Sequence, residues 1–133
     1  MFVNAKDLIA VELFWKKNEK NKNVTVLRNL DALTEDLKKT FNKVTFQMRP
    51  LNWGIYNDLQ RESTVDKGTG DGEQLDWLKY KENKLYKILA DWDAKDQGGN
   101  KIPITIDTIK TMHPLMAEFA LAEYDKKNMA TEE

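Results

Sequence analysis

The chain has 133 residues, 41% of them hydrophobic and 32% charged, with 21 basic and 22 acidic side chains, a formal charge of −1 and no cysteine. That length suits one domain with a core of its own, and its apolar content is above that of chains too polar to fold. Near-balanced charge supplies no long-range field to gather nucleic acid, and the missing cysteine excludes disulfides, thiolate nucleophiles and Cys-ligated metals.

The first segment, about Asn4 to Asn18, reads as a helix. Asn4 stands at its N-cap, Asp7 in its first turn and Lys16 and Lys17 in its last, while Leu8, Val11 and Trp15 share a face. Its apolar stretch, Leu8 to Trp15, is interrupted by Glu12 and is too short to span a bilayer. No basic region or small-residue cleavage site marks a signal peptide, so a soluble, cytoplasmic chain is expected. Val24 to Arg28 favours a strand. Asp31 to Phe41 carries Leu33, Leu37 and Phe41 at helical spacing, and Val44 to Arg49 alternates as a second strand before Pro50. The two strands are expected to form a small antiparallel pair covered by helices.

Leu51 to Glu62 reads as a helix through Leu51, Ile55 and Leu59. Ser63 to Gly72 holds three of the six glycines and is expected to be mobile. A long helix is predicted from Glu73 to Trp92, with Leu75, Leu78, Leu85, Leu89 and Trp92 as its buried stripe. Lys95 to Lys101 is a turn, Ile102 to Thr105 is extended, Thr105 caps a short helix through Met112, and Pro114 opens a last helix to about Lys127. The fold class expected is α+β but mainly α-helical, with four to five helices and one two-stranded antiparallel element. One domain spans 1–133, in three parts: 1–62, the loop 63–72, and a helical part 73–133.

Signs of chemistry are few. The single histidine, His113, precedes Pro114 with no nucleophile or carboxylate spaced to work with it, and a turn or capping role suits it better. Asp91, Asp93 and Asp96 before Gly98 and Gly99 suggest a calcium loop, but counting from Asp91 puts Asp96 where glycine is needed and Ile102 where a bidentate glutamate is needed. An acidic element end running into a glycine turn is the better reading. Gly68 and Gly70 follow a predicted helix rather than a strand and lack the Lys-Ser/Thr pair of a phosphate loop. Lys79, Lys81, Lys84 and Lys87 alternate with Asp76, Glu82, Asp91 and Asp93, as on a solvated mixed-charge face. No catalytic residue, cofactor or metal site is therefore expected. The aromatics remain. Trp53, Tyr56, Trp77, Tyr80 and Trp92 either cap the core with their polar tips wet or anchor a protein partner.

From Lys84 to Asp125 the sequence KLYKILADWDAKDQGGNKIPITIDTIKTMHPLMAEFALAEYD resembles the C-terminal region of tail assembly chaperones and related minor tail proteins of long-tailed bacteriophages. Trp92, Gly98, Pro103, Thr105, Ile109, Pro114 and Phe119 fall at the pattern's positions, and Val44 to Ser63 resembles its strand-then-helix entry. The N-terminal segment with Trp15 has no counterpart in that pattern. The resemblance implies a non-enzymatic protein of the host cytoplasm that covers the helical tape measure protein during tail assembly, with homo-oligomers possible and no nucleic acid or membrane partner. Two other readings stand beside it: a structural virion component (tail completion, adaptor or baseplate), and a small enzyme or regulator built on His113 and the Asp91–Asp93–Asp96 cluster.

Overall fold

The N-terminal segment expected as a helix is a strand. In the computed structural model, which describes residues 2–4, 6–66, 68, 70 and 72–130, β1 runs Ile9–Lys17. Ile9, Val11, Leu13 and Trp15 satisfy a period of two as well as Leu8, Val11 and Trp15 satisfy a helical one. Long-range pairing decides between them. β1 lies between β2 (Val24–Leu27) and β3 (Asn42–Met48), antiparallel to both, with Val11 opposite Phe46 and Leu13 opposite Val44. The two strands read from the sequence are thus both present, but β1 separates them.

The long helix expected over Glu73 to Trp92 is three elements. Glu73–Leu75 pairs as strand β5 with β4 (Thr64–Asp66). Helix α3 then runs Trp77–Ile88, capped by the Asp76 carboxylate, which accepts from the N–H groups of Leu78 and Lys79. At Leu89 the backbone becomes extended without a linker, and Leu89–Trp92 joins the sheet as β6 beside β3. Arg49 governs this switch. Its N–H donates to the Ile88 carbonyl at 2.6 Å, and its guanidinium Nη1 donates to those of Lys87 (3.2 Å) and Leu89 (3.1 Å). A cation satisfying the last carbonyls of a helix is the favourable arrangement there.

The main sheet has the order β2-β1-β3-β6. Five helices and six strands among the described residues overturn the mainly helical class read from the sequence. The remaining helices are α1 (Glu35–Lys38), α2 (Trp53–Glu62), α4 (Ile106–Lys110) and α5 (Pro114–Ala130). The helix expected over Asp31 to Phe41 thus keeps a single turn, capped by Thr34. Of the loop 63–72, Ser63 is fully buried and Thr64–Asp66 is strand, while Lys67, Thr69 and Asp71 lie outside the described residues.

Among the described residues, one face of the sheet is covered by helices. Val11, Leu13, Val44, Phe46 and Met48 meet Leu85 and Ile88 of α3, Ile109 of α4 and Ala120, Leu121 and Tyr124 of α5. The opposite face carries Glu12, Lys43, Thr45, Gln47 and Asp91 on alternate positions, the pattern of a half-solvated antiparallel sheet. Thr105 caps α4 through a reciprocal exchange with Thr108, as its position before the helix suggested. The 95–101 turn closes on Gly99, whose φ of 81° favours glycine and whose N–H donates to the Asp96 carbonyl.

Candidate functional site

Helices α2 and α3 pack side by side, and the aromatics they share face water. Asn52 caps α2 by accepting from the Ile55 N–H at 2.8 Å. That start places Trp53 and Tyr56 three residues apart and exposed, while Leu59, one turn further on, is buried. Trp77 and Tyr80 repeat the spacing at the start of α3, their rings edge-on at 5.6 Å and 74°. The Tyr80 phenol is held above the usual tyrosine range, first by partial burial, then by the Tyr56 phenol and the Asp125 carboxylate. These four side chains, Trp53, Tyr56 and Trp77 exposed and Tyr80 half-buried, are the aromatic band of α2 and α3. Trp53 is 79% exposed and Trp77 66%.

Trp92 does not belong to this band. It is 4% exposed, lies edge-on to Phe46 at 6.2 Å, and donates its indole N–H to the Ile102 carbonyl at 2.6 Å. It is a core residue whose one polar atom is satisfied, so it has no surface to offer a partner. Leu78, read as buried, is exposed. It does share the stripe of Leu85, seven residues on, but the first turn of α3 outruns the cover of α4 and α5. A groove lies there between Leu78, Ile109 and Ala117. The overhang sets Leu78 beside Trp77. The Asp76 cap fixes where that first turn begins, at Trp77 and not at the expected Glu73.

The polar candidates are spent on structure. His113 Nδ1 accepts from the Leu115 N–H at 3.2 Å and caps the start of α5. Asp91 pairs with Lys101 on the surface, and that hydrogen bond, with another from the Trp92 N–H, holds its carboxyl below the usual range. Asp93 accepts from the Thr45 N–H at 2.8 Å, and Asp96 accepts from the Asn100 N–H inside its own turn. Among the described residues no three His, Asp or Glu side chains are grouped to hold a metal, and no helix is long and apolar enough to cross a membrane. Comparison with protein-family models, with curated proteins and with solved structures finds no match.

Proposed function

We propose that this chain is a non-enzymatic protein-binding domain, and that it acts in the host cytoplasm as a tail assembly chaperone for the tape measure protein of a long-tailed bacteriophage. One observation carries the binding half of the reading: Trp53 and Tyr56 on α2 and Trp77 and Leu78 on α3 stand exposed, with half-buried Tyr80 edge-on to Trp77. Aromatics of this kind dominate the energetics of protein interfaces. A shallow band across two helices suits the apolar stripe of a partner helix, and a tape measure protein is helical.

The phage half rests on the resemblance from Lys84 to Asp125. There the structure has a glycine turn at 95–101, an extended Pro103–Thr105 stretch, a capped short helix and a last helix opened by Pro114. Trp92 departs from the pattern, since it ends a strand and not a helix. Co-expression with the tape measure protein, followed by pull-down, tests the proposal. Retention that is lost with Trp53→Ala and Trp77→Ala supports it. No retention of the tape measure protein by the unaltered chain overturns it. Detection of the chain in purified particles by mass spectrometry would replace the chaperone with a virion component.

A further inference from the structure

The formal charge of −1 is spread unevenly over the fold. β1 and β2 are joined by a turn through residues 18–23, and positions 16 to 22 carry Lys16, Lys17, Lys20 and Lys22 against Glu19 alone. Among the described residues ten Lys or Arg side chains are ion-paired, and none of these four is. Lys17, Lys20 and Lys22 are exposed, and Lys16 holds its ammonium 5.9 Å from the centre of the Phe41 ring.

The turn itself does not call for this charge. The Lys22 N–H donates to the Asn18 carbonyl at 2.9 Å and the Asn18 N–H to that of Asn23 at 2.8 Å. Lys22 sits there at a φ of 58°, and among the described residues no other non-glycine residue has a positive φ. Glycine or asparagine enters that region with less strain, and an asparagine stands on either side. The lysine adds backbone strain, and its ammonium finds no partner among the described residues.

Beside the hairpin lies a shallow concavity of about 850 Å³, lined by Trp15 and residues 16–21 together with Thr40 and Asn42. Trp15 is half-buried, so part of its indole reaches the surface. Protein interfaces favour arginine, whose fork grips a carboxylate at two points, and are poor in lysine. Lysine is a mobile point charge, and a polynucleotide gives up condensed counterions to it. A partly exposed indole among cations stacks on an unpaired base. Charges beyond about 8 Å are screened at physiological salt, so a bound strand senses the hairpin and not the total charge. We propose that the β1–β2 hairpin binds single-stranded nucleic acid, with phosphates on its lysines and a base against Trp15. This surface shares no residue with the aromatic band of α2 and α3.

Fluorescence anisotropy of a labelled oligothymidylate, titrated with the full chain at several salt concentrations, tests this. Binding through four lysines should weaken about fiftyfold from 50 to 200 mM salt. Lys17→Ala/Lys20→Ala/Lys22→Ala, changed only at exposed side chains, should keep the circular dichroism of the original and lose most of its affinity and salt dependence. Lys6→Ala/Lys126→Ala should leave both within about twofold. Lys6 precedes the start of β1, and Lys126 adjoins Lys127, whose ammonium donates to the Ala10 carbonyl at 2.6 Å, so both lie toward the other end of that strand. The oligonucleotide should quench tryptophan emission, and quench it less in Trp15→Phe. No binding at 50 mM salt, a triple variant that binds as the original does, or quenching unchanged in Trp15→Phe would overturn the proposal. Polyglutamate of equal length bound as tightly would also overturn it, and would make the hairpin a site for an acidic protein segment.

Discussion

The hydroxyl of Tyr124, in a side chain with no exposed surface, donates to the backbone carbonyl of Arg49 at 2.8 Å, across 75 residues of sequence. The bond fixes the last helix to the end of β3, at the residue whose guanidinium holds the α3–β6 switch. Tyr124→Phe keeps the packing and strands the carbonyl. A buried acceptor left alone costs about 1–2 kcal/mol, which urea unfolding will read as a lower midpoint at unchanged slope.

The same tyrosine sets an alkaline limit. Burial pushes its phenol well above the usual tyrosine range, against the smaller opposing pull of the Leu51 N–H. Its proton is therefore held in the folded chain at pH values where the unfolded chain has released it. Stability from this group is complete below about pH 10, the ordinary tyrosine value, and is lost as pH rises toward the folded value. Unfolding free energies measured from pH 8 upward should decline above that point. The decline should be shallower in Tyr124→Phe.

The tryptophans should separate into two kinds. Trp53→Ala and Trp77→Ala remove exposed rings and should leave stability within about 0.5 kcal/mol. Each should weaken partner association by more than about tenfold, as for interface anchors. Trp92→Ala opens the core between Phe46 and Ile102 and should cost about 3–5 kcal/mol. Thermal melts alongside pull-downs will distinguish them.

Neighbouring glycines of the 95–101 turn offer a sharper contrast. A Cβ at Gly99 would meet nothing within 4 Å, but φ there is 81°. Gly99→Ala should therefore lose about 1 kcal/mol through backbone conformation alone. At Gly98 the φ is ordinary and a Cβ would meet only the Asp96 and Asn100 side chains, at 3.4 and 3.5 Å. Gly98→Ala should be close to neutral in the same melts.

Local signals were legible in the sequence because local physics produces them. The 95–101 turn, the Thr105 cap, the start of α5 at Pro114 and the helix after Leu51 all follow from neighbouring residues. β1 and β6 were not legible, since their partners lie far along the chain. Leu85, Leu89 and Trp92 keep helical spacing straight through the switch at Leu89, and only Arg49, some forty residues earlier, marks where the helix stops. The aromatic band was half legible. In the sequence Trp53, Tyr56, Trp77, Tyr80 and Trp92 looked equivalent, and only the sheet's enclosure of Trp92 separates it from the others.

The passage from α3 to β6 without an intervening residue has a consequence for recognition. No linker exists between the helix that bears Trp77 and the strand locked against β3, so the band has no hinge about which to swing toward a guest. Association should then proceed as the meeting of a preformed face with whatever fits it, with little ordering entropy on this side. Any folding on contact falls to the partner, and the heat-capacity change of binding, measured by calorimetry, should exceed what burial of the band accounts for.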